Sequence, residues 1–172
     1  HARHPRADPR TRADGNSGLP VSPAVIAIAD PADSSVRVLI EELDQYMIPL
    51  YPAESNHLLD IETLRQPEMR FFAAYAGDQV MACGGCWLHS DYAEIKRVYV
   101  SLKARGLGLA KKLMQRIEDE ARNSGRAIAR LETGIHQPEA LGLYRALGYA
   151  ERGPFGDYAE DPYSVFMEKV LE

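Results

Sequence analysis

The spacing of hydrophobic residues changes several times along this chain, and each change predicts an element of secondary structure. An apolar run at Val25–Ala29 predicts a first strand. Asp33 or Ser34 can cap a helix, because the apolar residues that follow recur every three or four positions, at Val36, Leu39, Ile40 and Leu43. This helix is expected to end before Pro49 and Pro52.

The middle of the chain combines a second helical pattern with a run of strands. Ser55 is expected to cap a helix that carries Leu58, Leu59, Ile61 and Leu64. Met69–Ala76 and Gln79–Leu88 predict two strands, which Gly77-Asp78 joins as a hairpin. A third strand, Glu94–Val100, follows after a turn at Asp91 and Tyr92.

The remaining sequence alternates helices with strands. A Gly-rich turn leads into a helix from about 108 to 123, whose apolar stripe is Ala110, Leu113, Met114, Ile117 and Ala121. Ala127–Glu132 predicts a strand, and Pro138 suits the first position of a helix that ends at Gly148. The last predicted strands are Tyr149–Glu151 and Ser164–Val170. This order indicates an α+β fold around a mixed sheet.

The first 22 residues show no periodicity and are rich in Pro, Arg, Asp, Gly and Ser, which predicts a disordered or loosely attached tail. Residues 23–172 then form one domain. The net charge of −5 consists of +2 before Val21 and −7 after it. An acidic body argues against general nucleic-acid binding, and no apolar run is long enough to cross a membrane.

The two cysteines, Cys83 and Cys86, are too few for a disulfide framework, so a reducing, cytoplasmic setting is expected. Their CxxC spacing lies inside a predicted strand. Residues three apart in a strand point to opposite faces, so the two thiols cannot readily share a metal ion. We therefore predict two structural cysteines and no metal site.

The segment Val98–Ala110 carries the clearest chemical signal. A strand enters a tight turn with Gly106 and Gly108 and continues as a helix. Unpaired backbone N–H groups at the helix start and the absence of side chains on the glycines create an anion site suited to a pyrophosphate. Arg105 adds a positive charge. The Lys and Ser/Thr of a nucleotide-hydrolysing phosphate loop are missing.

Two motifs then make the chain resemble the GNAT superfamily of N-acetyltransferases. Lys103–Gly108 resembles motif A, Arg/Gln-x-x-Gly-x-Gly/Ala, with Lys at its first position. Gln137–Tyr149 resembles Asn-x-x-Ala-x-x-Leu-Tyr-x-x-x-Gly-Phe, with Gln for Asn and Tyr for Phe. The resemblance spans roughly residues 25–171, and residues 154–166 resemble a group of small, poorly characterised bacterial members.

The resemblance implies a GNAT fold, in which a mixed, mostly antiparallel sheet flanked by about four helices splays into a V-shaped cleft for acetyl-CoA. The pantetheine arm would pair with the backbone of Val98, Tyr99 and Val100. The pyrophosphate would meet the amides of Arg105, Gly106, Leu107, Gly108, Leu109 and Ala110, and Gln137 would take the place of the usual Asn. No metal is required.

The resemblance also suggests catalytic roles for two side chains. Tyr144 matches the family tyrosine that faces the cofactor sulfur, where its hydroxyl can stabilise the departing thiolate. Glu94 stands where some GNAT enzymes hold their general base. A carboxylate with a pKa of about 4.3 is too weak to deprotonate an ammonium of about 10.4 directly, so Glu94 would need a raised pKa, a relaying water or a less basic substrate.

Candidates for binding the acceptor are Lys96, Arg97, His57 and Tyr158. Lys96 shares a strand face with Glu94, and Arg97 points the other way unless a bulge changes the alternation; the resemblance implies such a bulge. Trp87, Tyr51 and Tyr163 are further aromatic candidates, although packing is the favoured role for each.

We therefore expect an acyl-CoA-dependent N-acetyltransferase that uses a ternary complex with a small-molecule or protein amine, and that has no nucleic-acid or membrane partner. A homodimer is compatible with the resemblance. The alternative is a non-catalytic acyl-CoA-binding regulatory or interaction module, because a fold can keep its cleft without keeping its chemistry.

Overall fold

The computed structural model describes residues 24–56 and 60–172. The predicted tail at 1–22 and the candidate His57, together with Leu58 and Leu59, lie outside this part of the chain.

Seven strands and four α-helices form the described fold. The strands are β1 (Val25–Ile28), β2 (Met69–Ala76), β3 (Gln79–Leu88), β4 (Ala93–Val100), β5 (Ile128–Gly134), β6 (Ala150–Arg152) and β7 (Ser164–Val170). The helices are α1 (Ser34–Met47), α2 (Ile61–Leu64), α3 (Leu109–Asn123) and α4 (Pro138–Ala146). Short 3₁₀ turns occur at Ile48–Leu50, Ala53–Ser55 and Leu102–Ala104.

The strands form one sheet in the order β1-β2-β3-β4-β5-β7-β6. Every neighbouring pair is antiparallel except β4 and β5, which are parallel. These two strands pair only at Ala93–Ala129 and Glu94–Arg130, and beyond those residues they separate. The sheet is therefore mixed, mostly antiparallel and open as a V between β4 and β5, as the family resemblance implied.

Each face of the sheet has its own hydrophobic core. On one face α3 and α4 pack over residues that include Ile95, Leu131 and Met167. On the other face α1 and α2 pack over residues that include Phe71 and Tyr99. The two cysteines confirm this division, because Cys86 belongs to the first core and Cys83 to the second, and both are buried free thiols.

Several predicted boundaries are corrected by the structure. The second helix is a single turn, α2, and Asp60 caps it by accepting a hydrogen bond from the Thr63 amide at 2.8 Å. Ser55 instead lies buried in a 3₁₀ turn, because its side chain packs inward rather than capping a helix. Strand β5 extends two residues further than expected, to Gly134, because its pairing with β7 continues to Ser164.

Within the described residues, no helix combines the length and the apolar composition of a membrane span. The same part of the chain contains no cluster of three or more His, Cys, Asp or Glu side chains that could hold a metal ion.

Candidate active site

A bulge in β4 places the residues of the candidate site. Cys83 pairs with Tyr99 and Gly85 pairs with Lys96, so Arg97 and Val98 on β4 lie opposite the single residue Gly84 on β3. Among the described residues, Arg97 is the one non-glycine residue with a positive φ, at 60°. A β-bulge inserts one extra residue and thereby shifts the alternation of the side chains that follow.

This shift brings two consecutive cations to the same face of the sheet. Ile95 and Val98 both contact the core beneath α3. Lys96 therefore lies on the α1 side, and Arg97 also lies there, where its guanidinium meets Asp44 of α1. The sequence left open which of the two cations faces the cleft, and the bulge explains why both do.

Gly84 makes room for the bulge. A Cβ atom on this residue would lie 2.9 Å from the Cα atom of Val98 and 3.4 Å from a methyl group of Leu113. A side chain at position 84 would thus push against the backbone of β4 at the point where the V begins to open.

Two cavities meet in the V. The larger cavity encloses about 470 Å³ between the end of β4, the turn that follows it, the start of α3 and α4. The smaller cavity encloses about 90 Å³ between the separated parts of β4 and β5 and the C-terminal end of α1. Leu43, Val98, Gln137 and Tyr144 line both cavities. A ligand in the larger cavity would therefore present its end to a ligand in the smaller one at these four residues.

The turn before α3 forms one end of the larger cavity, and its backbone suits an anion. Gly106 and Gly108 adopt φ values of 82° and 72°, which glycine tolerates without the strain of a side chain. Lys112 donates the first intrahelical hydrogen bond, to the Gly108 carbonyl at 3.2 Å. The N–H groups of Leu109, Ala110 and Lys111 therefore belong to the unpaired first turn of the helix and carry its positive partial charge.

Arg105 lies at the mouth of the larger cavity and is shared between two neighbours. Its Nη1 atom donates to Glu139 Oε2 at 2.8 Å, and its guanidinium lies 5.8 Å from the centre of the Tyr99 ring. Both Arg105 and Glu139 are exposed enough for a phosphate to compete for the arginine. Lys111 also lines this cavity and is a cation that sequence analysis did not select.

Tyr144 lies at the junction of the two cavities. Its side chain is buried, and its ring meets the Tyr149 ring edge-on with centres 5.8 Å apart. Burial raises the pKa of the Tyr144 phenol to about 12. The hydroxyl is therefore protonated at neutral pH and is able to donate a hydrogen bond.

Gln137 is held in place by Tyr51 and by Gly134. Its Oε1 atom accepts hydrogen bonds from the Tyr51 hydroxyl and from the Gly134 amide, both at 3.2 Å. The Tyr51 hydroxyl in turn accepts from the His136 amide at 3.1 Å. A Cβ on Gly134 would overlap the Tyr51 ring, so this glycine allows the close packing. With Oε1 occupied, the side-chain NH₂ of Gln137 is the group suited to donate to a ligand.

Glu94 lies in a charge network, and the residues that line the two cavities do not include it. Its carboxylate accepts from Lys96 Nζ at 2.7 Å and from the Tyr158 hydroxyl at 2.6 Å, and it contacts His89 Nε2 at 3.0 Å. Burial favours the neutral acid, but the charge of Lys96 and the three hydrogen bonds outweigh it and lower the pKa of Glu94. These contacts tie the Glu94 carboxylate to Lys96, and the role of general base expected from the sequence stays a prediction.

Tyr158 completes the same network from the loop before β7. Its hydroxyl accepts from Lys96 Nζ at 2.6 Å while donating to Glu94. Burial raises the pKa of this phenol, and the neighbouring Glu94 raises it further. Of the predicted acceptor-binding residues, Lys96 and Arg97 line the smaller cavity and Tyr158 lies behind Lys96.

Glu132 is a carboxylate of β5 that lines the smaller cavity, opposite the two cations of β4. Ser164 donates a hydrogen bond to its Oε1 atom at 3.0 Å. The carboxylate also lies near the phenols of Tyr51 and Tyr158. Burial is the main cause of the raised pKa of each phenol, and the negative charge of Glu132 makes a smaller contribution to both. Sequence analysis ended the strand at this residue and gave it no role, since no motif marks it.

The other residues predicted to bind the acyl-CoA donor line the larger cavity, with one exception. Val98, Tyr99, Val100, Arg105, Gly106, Gly108, Leu109 and Ala110 all line the larger cavity. Leu107 does not, because its side chain projects from the turn and is 50% exposed. Tyr51 and Tyr163 line the smaller cavity, whereas Trp87 does not.

Comparison with known proteins agrees with this geometry. The model of the Acetyltransferase (GNAT) family matches residues 36–149. A protein named IAA acetyltransferase, from Azospirillum brasilense, is 49% identical over 148 residues, which span 85% of this chain and 97% of that protein. The uncharacterized N-acetyltransferase YsnE of Bacillus subtilis is 39% identical over 150 residues, which span 85% and 99% of the two chains.

A solved structure with the same fold is the "putative acyl-CoA N-acyltransferase" of Klebsiella pneumoniae. It is 34% identical in sequence and superposes with a TM-score of 0.74 over 87% of this chain and 98% of that chain.

Proposed function

The chain belongs to the GNAT family of acetyltransferases, and from that premise we propose that it moves an acetyl group from acetyl-CoA to an amine by direct attack in a ternary complex. The observation that carries the proposal is the meeting of the two cavities at Val98, Gln137 and Tyr144. A donor in the larger cavity and an acceptor in the smaller one would react there. The family membership favours an N-acetyltransferase over the non-catalytic module.

The larger cavity suits the donor. Its anion-binding end, formed by the glycine turn and the first amides of α3, is matched to a pyrophosphate, and Arg105 and Lys111 add two cations. The exposed backbone of β4 from Val98 to Val100 offers hydrogen bonds to an extended amide chain such as pantetheine, because the β4–β5 pairing has ended before these residues. The thioester would then lie beside Val98 and Tyr144.

In the reaction, the acceptor nitrogen forms a bond to the acyl carbon, the carbon–sulfur bond breaks and one proton leaves the nitrogen. An N–H of the bulge at Val98 would stabilise the negative charge that grows on the thioester oxygen. Tyr144 would donate a hydrogen bond to the departing thiolate. Full proton transfer from Tyr144 is opposed, because its pKa of about 12 exceeds that of a thiol by roughly 3.5 units, or about 5 kcal/mol.

The proton of the acceptor nitrogen requires a base near the smaller cavity. We assign this role to Glu132 in preference to Glu94, because Glu132 lines the smaller cavity and Glu94 lines neither cavity. The nitrogen becomes more acidic once its bond to the acyl carbon forms, so a carboxylate or a water held by it can take the proton.

Incubation with acetyl-CoA and a panel of amines, followed by measurement of free CoA thiol, tests the proposal. We expect turnover above the no-acceptor control with at least one amine. Glu132→Gln should then lower kcat by about 100-fold or more, the usual contribution of a general base. Glu94→Gln, its matched control in the same sheet, should change kcat less than tenfold.

The opposite result would reverse the assignment. If Glu94→Gln removed turnover while Glu132→Gln kept the rate of the unmodified protein, Glu94 would be the base and the proposed role of Glu132 would be wrong. Tight binding of CoA without turnover on any amine would instead favour the non-catalytic module.

A further inference from the structure

We propose that the acceptor carries a carboxylate as well as an amine, and that Arg97 binds the carboxylate through the Nε–Nη2 edge of its guanidinium. This inference rests on the proposed function and names the class of acceptor that the smaller cavity selects.

Arg97 is a buried cation with incomplete pairing. Its side chain is 4% exposed, and Nη1 lies 2.6 Å from Asp44 Oδ1 in a contact whose angles do not suit a hydrogen bond. Within the described part of the chain, neither Nε nor Nη2 has a hydrogen-bond partner. Buried polar groups in native proteins are almost always hydrogen-bonded, so a buried guanidinium with an unpaired edge indicates a group that is still to be bound.

The backbone holds this guanidinium in position at a cost. A non-glycine residue in the left-handed region is strained, and such residues concentrate at functional sites. Here the strain accompanies the bulge, and the bulge puts Arg97 on the same face as Lys96. Without the extra residue, regular alternation would turn Arg97 toward α3 and away from the smaller cavity.

The unpaired edge has the geometry of a carboxylate site. The N–H bonds of Nε and Nη2 are nearly parallel and match the two oxygens of a carboxylate, which is the bidentate arrangement that distinguishes arginine from lysine. Asp44 contacts the other side of the guanidinium, at Nη1, and therefore does not compete for this edge.

The charges around the smaller cavity suit a molecule with both a carboxylate and an amine. Lys96 and Arg97 line it from β4, and Glu132 lines it from β5. A carboxylate bound on the β4 side would direct the amine toward Glu132 and toward the junction at Val98 and Tyr144.

Matched pairs of amines that differ only by a carboxylate test the inference on the unmodified protein. The pairs are β-alanine with ethylamine, γ-aminobutyrate with propylamine, and L-tyrosine with tyramine. With acetyl-CoA as donor, we expect kcat/KM to be at least about tenfold higher for the carboxylate in one pair or more. If the decarboxylated amine were the equal or better acceptor in every pair, the inference would be wrong.

Two variants test whether Arg97 causes the preference for the carboxylate acceptor. Arg97→Lys keeps the charge but loses the bidentate edge, so KM for the carboxylate acceptor should rise at least about tenfold. KM for acetyl-CoA should change much less than this, and kcat/KM for the decarboxylated partner should fall by a clearly smaller factor than kcat/KM for the carboxylate acceptor. Arg116→Lys is the matched control, because Arg116 on α3 pairs with Glu120 and lines neither cavity.

Asp44→Asn provides a second test of the acceptor preference in case Arg97→Lys fails to fold. The Nε–Nη2 edge is unchanged in this variant, so its preference for the carboxylate member of a pair should survive even where its melting temperature falls. Loss of the preference in Asp44→Asn, or an equal loss of both acceptors in a folded Arg97→Lys, would refute the assignment of the site.

Calorimetric titration of the CoA-bound protein with the same carboxylates separates this inference from the proposed function. Suppose that a carboxylate binds to the unmodified protein, that Arg97→Lys weakens this binding at least tenfold, and that no turnover occurs. This result would support the carboxylate site and contradict the catalytic proposal. Turnover of decarboxylated amines alone would leave the catalytic proposal standing and overturn this inference. The absence of both binding and turnover with every carboxylate would also overturn it.

Discussion

Replacing Gly84 by Ala should damage the reaction, because the added methyl group would press on the bulge of β4. The new Cβ would lie 2.9 Å from Val98 Cα and 2.9 Å from Val98 Cγ2. Carbon atoms in packed proteins prefer separations of about 3.5–4.0 Å, so β4 must move by roughly 0.6 Å or more at the bulge. The obstructing atom is backbone and cannot rotate away.

The displacement has two measurable consequences. Overpacking of this kind typically costs about 1–3 kcal/mol of unfolding free energy. A misplacement approaching 1 Å near the reacting atoms can lower the rate by about 100-fold. We therefore expect Gly84→Ala to lower kcat by about 10- to 100-fold. The turn at Gly106 and Gly108 is distant from the clash, so the Kd for CoA should change less than tenfold.

Gly142→Ala is the matched control, because it adds the same methyl group in α4 where no heavy atom lies within 4 Å. It should stabilise the helix by about 0.5–1 kcal/mol and leave turnover unchanged. Urea unfolding, CoA titration and thiol release from acetyl-CoA measure the three quantities on both variants. A Gly84→Ala protein with unchanged stability and unchanged kcat would show that the bulge does not position the reacting groups.

Three further predictions follow from the buried hydroxyl and thiols. Tyr144→Phe should lower kcat by about 10- to 150-fold with little change in KM, because it removes one hydrogen bond to a charged leaving group; an unchanged kcat would exclude that contact. Cys83 and Cys86 should not react with a thiol reagent at pH 8 in the folded protein, since burial raises each pKa to about 12; both should react in urea, and rapid labelling without urea would contradict the burial. The pKa values of these thiols and of Tyr144 are higher in the folded state than in the unfolded state, so their contribution to stability is complete below about pH 9 and is lost as the pH rises toward 12. The urea midpoint of unfolding, measured from pH 9 to 11, should therefore fall. A constant midpoint over this range would refute the prediction.

The residues proposed to bind the donor could be selected from the sequence, because their arrangement depends on positions close together in the chain. Glycines at 106 and 108 between a strand and an amphipathic helix require a particular backbone shape, and that shape creates the anion site. Tyr144 and Gln137 followed from a second motif on one helix. Each of these features is set by residues close together in the chain.

The acceptor side depends on contacts between distant residues, which periodicity does not reveal. Glu132 and Arg97 line the same cavity because β4 and β5 separate after their short pairing. The partners of Glu94 come from the loop before β7 and from the end of β3, so its engagement with Tyr158 and His89 was not readable from the strand itself. The position of Arg97 required the bulge, whose cause lies in Gly84 on the neighbouring strand.

The central claim is that an acyl-CoA donor occupies the larger cavity and meets the acceptor beside Val98 and Tyr144. A crystal structure with acetyl-CoA tests it most directly. The account predicts the pyrophosphate on the amides of Gly108 to Lys111, the thioester oxygen on the bulge at Val98, and the sulfur within hydrogen-bonding distance of the Tyr144 hydroxyl. A thioester bound outside the junction of the two cavities, with Tyr144 buried away from the sulfur, would contradict it.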